Sequence, residues 1–416
     1  MAPKVSQRVA IIGGGAAGMM CAATINELNP QAKVFLLEKN ESLGRKVMVS
    51  GGGRCNVTTG IEDINLLLTK YPRGAKFLRS AMSGFAPDVV YAWFEDHGIP
   101  LKCEKDGRVF PQSNKGQDIV GVFENIFRQN QTQVLFHHSV QEIAKQGDKF
   151  IISFREGQSL TVDSVVLAVG GQAYRQTGST GDGYALAESL GHTITPLAPS
   201  LSALVTSEAV SRGLAGVSFS LAKFTIAAKP SITFSGPFIF THWGVSGPAI
   251  FALSALAAFR TVTESAPLTM TVDILPAVSE EQARDQLKHY MQLNPKRFFA
   301  HTLHQLVPLS IANVIIREIG MAKYKQNITI SQPELGVAVK WLKNLPLNVT
   351  GRKPGDEFVT AGGVNLKEIN PKTMESKICP NLYLVGEIID VDGFTGGFNL
   401  QASWATGRAA GVAIAS

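Results

Sequence analysis

Three glycines, Gly13, Gly15 and Gly18, stand in G-x-G-x-x-G spacing after the apolar run Val9–Ile12 and before a helix-favouring run to Leu28. That spacing suits a pyrophosphate: the first glycine makes a tight turn, the second lets backbone approach the phosphates, and the third lets helix and strand pack closely. The helix that follows turns its N-terminal amides and positive dipole end, starting with Ala16 and Ala17, toward the same point. A ligand-free glycine turn is the plain alternative. Against it, a second apolar strand, Lys33–Leu37, ends in Glu38 and Lys39, about 20 residues past the last glycine, where a dinucleotide needs a carboxylate for its ribose.

Other groups with chemical potential lie in glycine-rich loops. Ser50, Gly51, Gly52, Gly53, Arg54, Cys55 and Asn56 follow Arg45 and Lys46, so flexible backbone sits among cations; this loop either turns amides toward phosphate or an electron-rich ring, or is an ordinary surface turn. The run Val165–Val169 reads as a buried parallel strand ending in Gly170 and Gly171, and Leu382–Val385 as another ending in Gly386 and Glu387. A turn over 390–401, holding Gly396, Gly397, Asn399 and Leu400, leads into an Ala/Gly-rich helix whose first amides suit an anionic ring. Small residues at 402, 405, 409 and 410 let that helix lie close to a flat neighbour. Asp182 either caps the helix over 184–190 or lines a pocket. Two side chains are candidates for proton transfer. His242, in the turn-rich stretch Phe240–Pro248, is either a proton donor or structural, and Cys55 is either a thiolate favoured by Arg54 or a passive part of its loop.

Around these residues the periodicity predicts helices over 86–97 and 117–128, a hairpin of 150–154 with 160–162, and loops at 41–56 and 107–111. Residues 359–364 read as a tight turn. Past His192 the texture becomes antiparallel β, with strands near 218–227, 231–234 and 268–274. Capping boxes at Ser279/Gln282 and Ser331/Glu334 open two helices. The domain expectation is 1–191 with 355–416, a β-rich insert of 192–275 with 346–354, and a helical subdomain over 276–345. Net charge is +6 over 416 residues, and 192–355 holds 15 Lys or Arg against 8 Asp or Glu, which fits a solvated surface or a nucleic-acid partner. The four scattered cysteines form no C-x-x-C pair, and His301 with His304 alone are too few for a metal, so no metal site is expected. No apolar run approaches the ~20 residues of a membrane span. The first apolar run enters the glycine fingerprint without a leader pattern, and the expected location is cytoplasmic.

Gly13-x-Gly15-x-x-Gly18, Glu38, Gly44-Arg-Lys, Ser50–Asn56, Gly107–Pro111, Thr241–Pro248, Thr360–Gly363 and Thr395–Gln401 together resemble a family. It is that of bacterial FAD-dependent oxidoreductases of the aminoacetone-oxidase-like or bile-acid-reductase-like type, distantly related to fumarate reductase flavoproteins. The resemblance runs almost end to end and implies an α/β, Rossmann-like FAD-binding domain interrupted by a β-barrel-like insert with a small helical subdomain. It implies that Gly13, Gly15 and Gly18 hold the pyrophosphate and Glu38 the adenosine ribose. Arg45, Lys46 and the 51–56 loop would approach the flavin, and Gly386, Glu387, Gly397, Asn399 and Leu400 the ribityl chain and pyrimidine edge. The implied activity is reduction of an activated carbon–carbon double bond, including uridine of ribosomal RNA to dihydrouridine. Oxidation of small amines and a flavin-bearing binding factor without turnover are the alternatives. Without a second fingerprint, NADPH or NADH would dock transiently as donor.

Overall fold

In the computed structural model, which describes residues 7–130, 132–155, 157–207, 213–355 and 357–416, the chain forms two compact units. One runs to Ser200 and resumes at Phe358–Ser416; the other is Leu201–Glu357. The first unit is built on a five-stranded sheet in the order Leu382–Leu384, Ser164–Leu167, Arg8–Ile12, Lys33–Leu37, Gln133–Leu135. Every pairing is parallel. Parallel strands are covered on both faces, which is why Val9–Ile12 and Val34–Leu37 are buried without alternation. Ile12 pairs with Leu37 and Leu167, and Leu167 with Leu384, so the strands end in register. Gly13, Glu38, Gly170 and Gly386 therefore leave the sheet along one carboxyl edge, where open α/β sheets bind ligands.

The helix Ala16–Leu28 crosses from the first strand to the second, and the last helix, Phe398–Ala415, packs on it. Ala402, Ala405 and Ala410 are buried as expected of small residues, yet the closest approach comes from two glycines. A Cβ on Gly407 would lie 2.3 Å from the Ala17 carbonyl, and one on Gly411 2.6 Å from the Thr24 side chain. Predicted helices appear as Pro87–Asp96, Gly116–Gln129 and Asp182–Ser189, and Lys149–Phe154 pairs antiparallel with Ser159–Val162. In this unit three stretches differ from expectation. The 41–56 loop contains the single helical turn Arg45–Val49, residues Arg108–Pro111 form a strand, and Val359–Ala361 pairs with Ala198–Ser200 before Gly362 and Gly363 make the turn. Val359–Ala361 is fixed by a partner far away in sequence, and Arg108–Pro111 by Thr58–Thr59 on one side and its neighbour Leu101–Cys103 on the other; short segments have weak periodicity of their own.

The second unit holds a closed antiparallel barrel in the order Leu204–Thr206, Gly244–Ser246, Ile232–Phe240, Ser218–Ile226, Leu268–Asp273, Leu345–Arg352. Its interior is filled by Phe224, Phe238, Phe240, Met270 and Leu347. Between the last two strands lie the helices Glu280–Leu293, Phe299–Leu303, Leu309–Glu318 and Gln332–Lys343. Both capping boxes form as the spacing predicts. At the second, the Glu334 carboxyl is held down to about 2 from the usual 4.5, first by its hydrogen bond from Lys325 and then by the Ser331 amide and hydroxyl. A depressed carboxylate stabilises the fold above its unfolded pKa and loses that contribution as pH falls through the folded one. Glu334→Gln keeps the box and is expected to flatten the acid limb of the stability curve between about pH 4.5 and 2, read from urea midpoints.

Candidate functional site

The glycines of the fingerprint divide their work by geometry. Gly13 has φ +104°, and a Cβ there would sit 2.5 Å from the Ala168 carbonyl; a Cβ on Gly18 would sit 2.0 Å from the Gly13 carbonyl. Both are demanded by the protein's own packing. Gly15 has an ordinary φ of −81°, and a Cβ on it meets nothing within 4 Å. Its bareness serves no internal contact, as expected where a ligand must approach the backbone. Gly15 is the N-cap of the first helix; no side chain caps that helix and no acid lies in its first turn. The final helix has the same open start: Gly397 as N-cap, no capping side chain, no acid. Two helix ends with unsatisfied amides fit the two electron-rich parts of FAD, its pyrophosphate and its ring.

Glu38 is buried at the end of its strand. Its Oε2 accepts from the Gly14 amide at 2.9 Å and its Oε1 from the Asn40 amide at 2.8 Å and side chain at 2.7 Å. Asn40 also receives Arg45 at 3.1 Å, so it links two expected site residues that nothing in the spacing joined. Lys39 reaches Thr180 at 2.9 Å and Asp182 at 2.7 Å. Asp182 is thus in the first helical turn and paired, while Gly181 takes the cap position. Lys46 and Glu387, 341 residues apart, form a 2.7 Å ion pair, and the other Glu387 oxygen accepts the Thr360 amide at 2.8 Å. Gly171 lies against the same group, since a Cβ on it would fall 2.5 Å from Thr360 Oγ1 and 2.9 Å from Glu387 Oε1. Gly170, at φ +74°, faces Ser179. Burial, and then Glu387, push the Tyr184 phenol upward, keeping it neutral.

Gly51, Gly52 and Gly53 take three successive positive φ angles, and the last two are exposed with open space where a Cβ would be. Ser50 donates to the Val47 carbonyl at 2.8 Å. Arg54 pairs with Glu104 at 2.7 Å and lies 3.7 Å over the Phe110 ring, and Asn56 accepts from the Val109 amide. Cys55 corrects an expectation. It is fully buried, and burial pushes its thiol up to about 12, with only the Ser50 hydrogen bond opposing; the Arg54 side chain goes to Glu104. Cys55 is therefore a thiol at neutral pH and not the reactive thiolate its neighbour Arg54 suggested. Native DTNB titration is expected to modify exposed Cys103 rapidly, with Cys21, Cys55 and Cys379 reacting only on denaturation.

At the start of the last helix, Asn399 accepts from the Gly393 amide and donates to the Gly393 carbonyl, both at 2.8 Å, so its side chain ties the preceding turn. Gly396 and Gly397 carry φ +131° and +89°, and Leu400 is half-buried. The turn has a further anchor that spacing in the sequence does not reveal. Arg73 makes a two-pronged pair with Asp392, which is fully buried and also accepts from Ser200 at 2.6 Å. Burial raises the Asp392 carboxyl, and Arg73 and Ser200 oppose the rise. The sequence signal available was an acid pair, Asp390 and Asp392, in an apolar stretch with no cation nearby. His242 is exposed in the second unit, between two barrel strands, with Trp243 edge-on at 6.2 Å. Among the described residues no group of His, Cys, Asp and Glu could hold a metal.

A parallel sheet with this fingerprint at its carboxyl edge defines a dinucleotide-binding Rossmann fold. The chain belongs to the HI0933-like protein Rossmann domain family, which it matches over residues 7–413, a family of FAD-dependent oxidoreductases. It is 30% identical to a 3-dehydro-bile acid delta(4,6)-reductase of Clostridium scindens over 98% of this chain and 99% of that one. It is 29% identical to a ribosomal RNA dihydrouridine synthase of Haemophilus influenzae over 97% of each chain. Among solved structures, a flavocytochrome c3 fumarate reductase shares the fold at 17% identity and a TM-score of 0.51, over 100% of this chain and 79% of that one. The fold class expected from the resemblance is thus the one observed. No helix among the described residues is long and apolar enough to cross a membrane.

Proposed function

We propose that this chain reduces a carbon–carbon double bond conjugated to a carbonyl, and that its substrate is a uridine of ribosomal RNA, converted to dihydrouridine. The supporting observation is the end-to-end match to relatives whose names describe this one chemistry on two substrates, with relatives from Haemophilus influenzae and Escherichia coli both named for the RNA. When bound and reduced, FAD supplies the hydride. The chain's own residues would bind and orient it: amides at Gly15–Gly18 on the pyrophosphate, Glu38 on the ribose, the 51–56 loop and the Lys46–Glu387 pair beside the ring, and the last helix start at the pyrimidine edge. His242 is the proposed donor of the proton that accompanies the hydride, and His242→Ala is expected to slow turnover about 100-fold or more.

Charge favours RNA modestly. Within the observed bounds Leu201–Glu357 the count is 15 Lys or Arg against 10 Asp or Glu, a smaller surplus than the predicted bounds gave. NADPH or NADH is the proposed donor, and anaerobic mixing with each should bleach the flavin with at least one. Mapping dihydrouridine in ribosomal RNA from a strain lacking this gene tests the substrate. A position that loses the modification and regains it on complementation is expected; an unchanged map contradicts the proposal and favours a small enone, as in the Clostridium scindens relative.

A further inference from the structure

Within the Leu201–Glu357 unit, two segments lie side by side on the surface of the helical part. The Phe299 amide donates to Lys325, the Asn327 amide to Arg297 and the Ile328 amide to Pro295, all at 2.9 Å. Asn327 is buried between them, its side chain donating to the Asn294 carbonyl at 2.7 Å and accepting from Thr302 at 3.0 Å. The outer face is therefore held in one arrangement before any partner arrives.

That face is aromatic, basic and exposed. Tyr324 is 65% exposed and its ring lies 5.3 Å from Phe298; Phe298 in turn stacks on His301 at 6.4 Å and 25°. Beside the rings are exposed Lys296, Arg297 and Lys323, the last 5.4 Å over Tyr324, and no salt bridge among the described residues holds any of the three. Ile328, 70% exposed, extends the apolar surface. From Asn294 to Gln326 the chain carries five Lys or Arg and a single acid, Glu318, itself paired with Arg317.

Protein interfaces are depleted in lysine at their centres, whereas single-stranded nucleic acid is held by aromatic platforms set among cations. We propose that this face binds single-stranded RNA, with a base stacked on Tyr324, Phe298 tilted at 58° beside it as an apolar wall, and phosphates on Lys296, Arg297 and Lys323. The inference rests on the RNA reading of the substrate and adds a second place, on the insert, where the chain grips it.

The test uses the flavin-loaded full chain and a fluorescein-labelled single-stranded RNA of about 12 nucleotides, within the usual site size for such surfaces. Anisotropy is expected to show Tyr324→Ala weakening binding about 5- to 150-fold and Tyr324→Phe retaining it. The double substitution Lys296→Gln/Arg297→Gln should shallow the slope of log affinity against log salt by about 1.4. Flavin content should match the wild type in all three. Tyr324→Ala and Lys296→Gln/Arg297→Gln proteins that bind as tightly as wild type overturn the proposal, as does a wild type that binds no RNA. So does Tyr324→Ala that turns a dimer into a monomer at unchanged RNA affinity, which would mark the face as a contact between copies. If the variants bind normally while the gene deletion still loses dihydrouridine, the face fails and the function stands; an unchanged map fails the function, and anisotropy still judges the face.

Discussion

Gly15→Val is expected to leave the apoprotein folded and strip it of flavin, whereas Gly18→Val is expected to unfold it. The two differ because of what a side chain would meet. At Gly18 the new Cβ falls 2.0 Å from the Gly13 carbonyl, with Ala168 3.2 Å away, so backbone in the turn just past the central strand would have to move. Overpacking of that kind costs about 3 kcal/mol or more when no flexible side chain can yield. At Gly15 the dihedral is ordinary and the space is empty, so the apoprotein should melt as wild type does. The loss falls on the ligand: hydrogen bonds to a charged group worth about 3 kcal/mol, or roughly a 100-fold drop in FAD affinity. Apoprotein melting with flavin titration separates the two. Gly15→Val that retains its flavin would remove this residue from the pyrophosphate site.

The second large effect is on the turn that introduces the last helix. Arg73→Ala leaves Asp392 with no exposure and without its guanidinium, and breaking a buried pair from one side costs about 3–5 kcal/mol. Burial already raises the Asp392 carboxyl, and removing Arg73 takes away the strongest opposing influence. A carboxyl whose folded pKa lies above its unfolded one gives stability at low pH that is lost as pH rises through the folded value. The variant should therefore recover relative to wild type as pH is lowered, and Asp392→Asn in the Arg73→Ala background should restore part of the loss at neutral pH. Because Gly74 packs against Val391 and residue 73 bridges residue 392, flavin retention should fall along with stability. Equal destabilisation at acid and neutral pH would mean that the loss is packing and not charge.

The glycines and the carboxylate of the candidate site were legible in the sequence because their arrangement depends on local spacing. Gly13, Gly15, Gly18 and Glu38 sit within two strands and one helix, and parallel pairing aligns them with Gly170 and Gly386 once those strands are recognised. What supports them was not legible. Arg73 and Asp392 are 319 residues apart, Lys46 and Glu387 341, and each member is an ordinary charged residue until the fold brings its partner. Cys55 shows the opposite failure. A cysteine between Arg54 and Asn56 looks activated in sequence, but alternate side chains leave in different directions: Arg54 goes to Glu104 and Phe110, and the thiol goes into the core. The small residues of the last helix foretold a close neighbour without naming it, and the neighbour is the first helix, approached at Gly407 and Gly411.

Hydride transfer from the chain's flavin to a conjugated double bond in RNA is read by mixing the anaerobically reduced holoprotein with ribosomal RNA extracted from the deletion strain and following flavin absorbance and dihydrouridine together. The expected result is reoxidation of the flavin without oxygen, matched by an equal amount of new dihydrouridine at a single position. Flavin that stays reduced until oxygen is admitted, or that reoxidises with no dihydrouridine formed, would contradict it.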